Sequence, residues 1–313
     1  MTWCPLKGEL FMIEVKQVVS GLVAVALSLV AANACAQASP AETPPVPAAP
    51  VLAAPVQATP VQATPAQTGT DTQKPFEPTV SQAGKDVVWV PTPQPTVDNM
   101  LALSKLTPQD YLIDLGSGDG ITVISAAKKG ARAHGVEFNP DMVALSQRKA
   151  KEAGVSDKAT FAQGDLYEAD LSKATVITLF LLPNINLKLR PSLLDLKPGT
   201  RIVSNTFDMG DWHSDAEATS EACTSWCKAM LWVVPAKVAG SWRMGDRMLT
   251  LTQEFQMVSG SLGTTVLADG KLNGETITFT AGGRTYTGRV NGDRMTGSGW
   301  SAIKAPGPVS ARP

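Results

Sequence analysis

Histidine and cysteine are scarce in this chain. His134 and His213 are the only two histidines, and there are four cysteines, at positions 4, 35, 223 and 227. A zinc site needs more ligands than this, so the expected metal content is none. A Ser/His/Asp triad is equally poorly served. His134 falls within a strand-like stretch and reads as a packing residue. Charge of one sign is also lacking. The 27 basic and 28 acidic residues leave a net charge of -1, with no long basic run, so electrostatic binding of nucleic acid is not expected. No apolar run is long enough for a comfortable transmembrane helix, since Val18 to Ala32 falls short of the span a bilayer requires.

One absence is decisive. Tyr111-Leu-Ile-Asp-Leu-Gly-Ser-Gly-Asp-Gly120 reads as a short buried strand (Tyr111 to Leu115) running into a glycine-rich turn. A helix follows from Ile121 to Lys129, with Val123, Ile124, Ala126 and Ala127 on its apolar face. A dinucleotide fingerprint would put its third glycine at position 121, which is Ile. The spacing is instead G-x-G-x-G, preceded by an acid. Alternate glycines let the chain turn sharply and let a ligand approach where any Cβ would clash. Such a ligand sits over a helix N-terminus at the carboxyl end of a strand. Asp114 and Asp119 make that place poor for a diphosphate and better for a cation.

Two more acids follow at strand ends. Ala131-Arg-Ala-His-Gly-Val-Glu137 reads as a second strand, and its acid falls where a carboxylate can bind ribose hydroxyls, roughly twenty residues past the loop. Ala159-Thr-Phe-Ala-Gln-Gly-Asp165 reads as a third. Asn139-Pro140 starts a helix that runs to Ala153 before Gly154. Val176 to Leu182 is a continuous apolar run suited to a central parallel strand. Leu187 to Leu196 looks helical, and Thr200 to Thr206 reads as the next strand. Leu231 to Pro235 is expected to complete the sheet. Repeated strand–helix alternation makes the class α/β with a mostly parallel sheet.

The loop and the acids resemble class I S-adenosylmethionine-dependent methyltransferases. Val88-Trp-Val-Pro-Thr-Pro93, Asp114 to Gly120, Gly135-Val-Glu-Phe-Asn-Pro140, Asp165-Leu166 and Leu179-Phe-Leu-Leu-Pro-Asn184 narrow this further. Together they resemble the protein-lysine methyltransferases that modify adenine nucleotide translocase and the ATP synthase c-subunit, and their bacterial relatives. The resemblance covers residues 86 to 235 and implies a Rossmann-like seven-stranded sheet with S-adenosylmethionine as cofactor. It implies that Asp114, Gly116, Gly118 and Asp119 hold the methionine portion, with Ser117, Gly120, Phe138, Asn139 and Leu166 also among the cofactor-binding residues. Glu137 would hold the ribose. Asp165 would meet the adenine. Thr92 and Pro93 would close over the cofactor or the incoming lysine.

The catalytic residues carry over less directly. Leu182-Pro-Asn184 stands where many amine methyltransferases carry an Asn/Asp-Pro-Pro-Tyr-like motif, but the aromatic is missing and Asn184 follows the proline. Pro183 and Asn184 have a second reading, as caps of the next helix. Methyl transfer is an in-line displacement, so alignment and exclusion of water carry most of the catalysis. A lysine nucleophile, with an ordinary pKa of about 10.4, must lose its proton, which desolvation near a sulfonium favours. Asp119, Asp165 and Asp208 are the nearest candidate bases. The catalytic candidates are Asp119, Asn184 and Asp208.

The termini suggest a different compartment. Residues 1–36 read as an export signal, with Lys16, the apolar Val18 to Ala32, and Ala34-Cys-Ala36 as a small-x-small cleavage site. Met12 offers a second start, and acylation of Cys35 or an uncleaved anchor are the other readings. All place the protein in the periplasm or cell envelope of a Gram-negative bacterium. Residues 37–80 are Pro/Ala-rich, repeat Val-Gln-Ala-Thr-Pro, and read as a disordered linker, either passive or spacing the domain from a membrane. Cys223 and Cys227, which remain after the signal, suit a local disulfide in an oxidising compartment.

The transferase domain is expected over residues 81–236, an antiparallel β domain over 237–304, and a tail over 305–313. Within the β domain Asp269-Gly270, Asn273-Gly274, Gly282-Gly283 and Asn291-Gly292 read as hairpin turns, giving a meander of about five strands. Trp242, Phe255, Phe279, Tyr286 and Trp300 are expected in its core. That domain has three readings: recognition of a protein substrate or a glycan, or docking on the transferase. The expected partner is a protein bearing a lysine or other amine. One alternative acceptor is a small molecule or lipid. Another reading is an inactive envelope binding module, since S-adenosylmethionine is made in the cytoplasm.

Overall fold

The structure is a computed structural model, and it describes residues 76–221 and 223–306. The export signal, most of the linker and most of the tail lie outside the described residues. Among the described residues no helix is long and apolar enough to cross a membrane. The sheet and the barrel described below belong to one compact unit.

The chain enters through α1 (Gln94–Leu103), where Pro95 sits in the first turn and its missing N–H costs nothing. Then follow β1 (Tyr111–Leu115), α2 (Ile121–Lys128), β2 (Arg132–Glu137), α3 (Pro140–Glu152), β3 (Ala159–Gln163), β4 (Val176–Leu179), α4 (Pro183–Leu194), β5 (Arg201–Asn205), β6 (Ala216–Thr219) and β7 (Lys228–Val233). They form one seven-stranded sheet in the order β3-β2-β1-β4-β5-β7-β6. The pairs from β3 through β5 are parallel. β7 runs antiparallel to both β5 and β6. Strand order reverses between β1 and β4, so the carboxyl ends of these strands open a crevice there.

Alternation along the central strands feeds two cores. Leu112 and Val176 face α1, α2 and α3. Ile113, Leu115, Ile177 and Leu179 face α4, Trp212 and Trp232. Several expectations need correction. α4 begins at Pro183, four residues before the expected Leu187, because proline is favoured at a helix start. No helix joins β3 to β4, or β5 to β6, so the alternation is less regular than expected. β6 has no counterpart among the expected strands. It is a four-residue edge strand of sequence Ala-Glu-Ala-Thr with no buried residue, so it lacks an apolar signal.

Beyond the sheet come β8 (Gly240–Met244), β9 (Arg247–Glu254), β10 (Met257–Leu262), β11 (Thr265–Asn273), β12 (Thr276–Ala281), β13 (Arg284–Asn291), β14 (Arg294–Gly297) and β15 (Trp300–Lys304). These eight strands close into a barrel, with β15 paired to β8, in place of the expected five-stranded meander. Asp269-Gly270 is no hairpin turn. It is a bulge inside β11, where a Cβ on Gly270 would come within 2.0 Å of the Val258 carbonyl oxygen. Trp242, Phe279 and Tyr286 are buried inside the barrel, with Trp300 packed against them. Phe255 departs from the expectation. It lies in the β9–β10 turn and packs against the transferase core, 6.0 Å from Trp212.

Candidate active site

The loop from β1 to α2 carries three left-handed glycines, Gly116, Gly118 and Gly120, at φ of 76°, 53° and 80°. Gly116 and Ser117 donate their N–H groups to the Val136 carbonyl, which ties the loop to β2. Ser146 of α3 donates to the Gly118 carbonyl at 2.9 Å. Glu137, at the end of β2, accepts from Gly118 N through Oε2 and from Asn139 N through Oε1, each at 2.9 Å. Each carboxylate oxygen keeps a lone pair for a hydroxyl donor. Asn139 caps α3 by accepting from Asp141 N.

A cavity opens over this loop. It is lined by Thr92, Asp114, Gly116, Ser117, Gly118, Asp119, Glu137, Phe138, Asn139 and Leu166, so these ten candidates come together. Asp114 is buried and accepts a 2.6 Å hydrogen bond from Thr178 Oγ1. Burial pushes its pKa up to about 7, Glu137 and Asp119 add to the rise, and Thr178 opposes it. Asp119 pairs with Lys149 at 2.6 Å. Asp165 lies just past β3 and pairs with Lys85 at 2.5 Å, which holds its carboxyl below the usual carboxylate range. It stands between two lining residues, Gly164 and Leu166, without lining the cavity itself. Gly120 and Pro93 are not in the lining either: Gly120 faces Phe161 and Ser146, and Pro93 caps α1.

Two catalytic candidates are not brought to the cavity. Asn184 is exposed in the first turn of α4, where the N-cap is Leu182 and no side chain caps the helix, and Asp208 is exposed with its carboxylate bonded to Gly210 N. Asp119 alone of the three lines the cavity. His134 is half-buried beside Thr160, and burial lowers its pKa. Among the described residues no cluster of His, Cys, Asp or Glu could hold a metal. Cys223 and Cys227 are joined in a disulfide.

Sequence reasoning missed a short hairpin over residues 81–89. It is held by Ser81 N to Trp89 O and Trp89 N to Gln82 O, and it covers one side of the cavity. Trp89 packs so closely on the loop that a Cβ at Gly118 would lie 2.7 Å from its Nε1. Lys85 reaches from the same hairpin to Asp165 and over the Phe138 ring. Phe180 also lines the cavity and touches Phe207 and Trp226. Trp89 and Phe180 lie in quoted segments but carried no assigned role, and Lys85 belongs to no pattern that would mark it.

The cradle fits a cationic nucleoside. Backbone close enough for a ligand is exposed by glycine, Ser117 Oγ is buried without a partner, and the charged groups of the loop and β2 end are acids. Residues 114–216 match the ANTKMT methyltransferase domain. A protein-lysine N-methyltransferase of Saccharolobus islandicus is 42% identical over 130 residues, covering 41% of this chain and 81% of that protein. The chain belongs to this family. It is a class I S-adenosylmethionine-dependent methyltransferase, and S-adenosylmethionine is its cofactor. The methyltransferase is also 32% identical over 143 residues to the mouse lysine N-methyltransferase of the ATP synthase c-subunit, covering 45% of this chain and 58% of that one. A solved structure of an RNA methyltransferase from Salinibacter ruber with S-adenosyl-L-homocysteine is 50% identical, covers 48% of this chain and 96% of that one, and gives a TM-score of 0.45.

Proposed function

We propose that this methyltransferase transfers the methyl group to a lysine or similar amine of a protein in the bacterial cell envelope. The observation that carries the reading is the likeness to a protein-lysine N-methyltransferase over 81% of that protein's length. The bound cofactor would supply an electrophilic methyl on a cationic sulfur. Asp114, Ser117 and Asp119 would hold its methionine portion, Glu137 its ribose, and Phe138 and Asp165 its adenine end. Thr92 would close the side facing the acceptor. Beside a sulfonium the incoming ammonium is disfavoured, so the amine sheds its proton on approach. Alignment then does most of the work. Export is supported by the signal-like residues 1–36 and by the Cys223–Cys227 disulfide, which suits an oxidising compartment.

The test is incubation of the full-length protein with labelled S-adenosylmethionine and envelope extract, followed by mass spectrometry. Label on lysine of a protein band is expected. Label only in lipid or small molecules would replace the acceptor class, and no label with bound cofactor would favour a binding role. Fusion of residues 1–80 to a reporter that works only outside the cytoplasm tests the location.

A further inference from the structure

We propose that Phe180, Phe207 and Trp226 form an aromatic gate that receives the acceptor amine, with Trp226 held in it by the Cys223–Cys227 disulfide. This deepens the amine-methylation reading and rests on it. The three rings come from separate segments: Phe180 follows β4, Phe207 follows β5, and Trp226 lies between β6 and β7. Their centroids are 6.1, 5.7 and 5.6 Å apart, a closed triangle of contacts. Phe180 is also a wall of the cofactor cavity, so the cluster adjoins that cavity through this ring. Phe180 and Phe207 are half-buried and Trp226 is 39% exposed, so ring surface faces solvent.

The backbone is strained to make this arrangement. Thr206, just before Phe207, has φ 63°, and Trp226 has φ 58°. A left-handed conformation is costly for β-branched and bulky residues and persists only where the surroundings enforce it. Those surroundings are identifiable. Thr206 N donates to the Lys228 carbonyl at 2.7 Å. The Trp226 carbonyl accepts from the buried Thr96 Oγ1 of α1 at 3.0 Å. Cys227 is the next residue, and its bridge to Cys223 closes the loop that carries the indole. Simple packing would not need a tryptophan whose backbone is held by Thr96 and the neighbouring disulfide while its ring is left exposed. Aromatic faces attract an ammonium and strip its water, while the apolar edges accept the aliphatic stem. A lysine side chain has both parts.

The test compares the full-length protein with Trp226→Ala, Trp226→Phe and Cys223→Ser/Cys227→Ser. Poly-L-lysine is the acceptor, tetramethylammonium is the cation for direct binding by NMR, and cofactor affinity is the folding control. Trp226→Ala should raise KM for poly-L-lysine about tenfold and weaken tetramethylammonium binding, with cofactor affinity unchanged. Trp226→Phe should retain most of both. The double serine variant, and the reduced wild type, should resemble Trp226→Ala. An unchanged KM and unchanged cation binding in Trp226→Ala would overturn the gate while leaving lysine methylation intact. If the wild type methylates no amine yet binds tetramethylammonium through Trp226, the gate stands and the acceptor reading falls. Failure of both in cofactor-competent protein would sink both.

Discussion

Thr178 of β4 donates its hydroxyl to the buried carboxylate of Asp114, its register partner on β1, at 2.6 Å. This bond opposes the burial that raises Asp114 to about 7, so the acid sits at the edge of ionisation near neutral pH. In the unfolded chain the group titrates near 4. Between those values the native state binds more protons. Asp114 therefore stabilises the ligand-free fold at acid pH, and that contribution fades as pH rises through 7. Binding a cation has the opposite sign, because it needs the carboxylate. Cofactor affinity should rise about tenfold from pH 6 to pH 8, and Asp114→Asn should flatten the profile. Thr178→Val removes a charge-assisted bond and should move the midpoint up by about one to two units. Calorimetry across pH reads all three, and a flat wild-type profile would refute the assignment.

Glu137 is the second test of the cofactor site. Its two oxygens already accept Gly118 N and Asn139 N, so the same side chain shapes the loop and offers lone pairs to the ribose. Hydrogen bonds to a charged acceptor contribute roughly 1.5–3 kcal/mol each. Losing two should lower cofactor affinity about a hundredfold or more in Glu137→Ala, with Glu137→Gln intermediate. An affinity within threefold of wild type would remove Glu137 from the ribose role.

The cofactor half of the site was legible because it is local. Asp114, Gly116, Gly118 and Glu137 stand at or just past a strand end and line the cavity, and β1 is an apolar run with clear punctuation. Asp165 and Gly120 belong to the same pattern but stay outside the lining. The acceptor half was not legible, because Phe180, Phe207 and Trp226 meet only through the sheet order β4-β5-β7-β6. The edge strand β6 has no buried residue to announce it. In the barrel, turn-like pairs misled in both directions. Asp269-Gly270 supplies a bulge within β11, while the true β9–β10 turn is made by Phe255 and Gln256, with Phe255 at φ 50°. An aromatic in a left-handed turn has no sequence signature, since its cost is met by packing elsewhere.

Gly120 links the loop to the core behind it. Its φ is 80°, and a Cβ there would lie 2.8 Å from the Phe161 ring and 2.9 Å from Ser146 Cβ. Gly154 has a similar φ of 67° but open space around it. Gly154→Ala should cost only the conformational penalty, about 1–2 kcal/mol. Gly120→Ala adds overpacking of a buried ring and should cost roughly 2–5 kcal/mol in all. Chemical denaturation of the two variants separates backbone from packing, and equal losses would show that Phe161 gives way freely.

Phe255 couples the barrel to the transferase. It stacks on Trp212 at 6.0 Å and 15°, beneath the Arg190 guanidinium. Beside it Gln256 donates to the His213 carbonyl at 2.8 Å, and Lys271 lies 3.2 Å from the Asp215 carboxylate. Trp232 in turn donates to the Trp212 carbonyl at 2.6 Å, so the contact reaches the sheet. Phe255→Ala removes about 1.5–3 kcal/mol of apolar burial and stacking from this junction, where the ring packs on the edge of the transferase core. Thermal unfolding should then resolve into separate barrel and transferase transitions, while cofactor affinity stays the same. None of Trp212, Trp232 and Phe255 lines the cofactor cavity, so a large loss of cofactor affinity in Phe255→Ala would contradict this docking role and assign the barrel a direct part in forming the site.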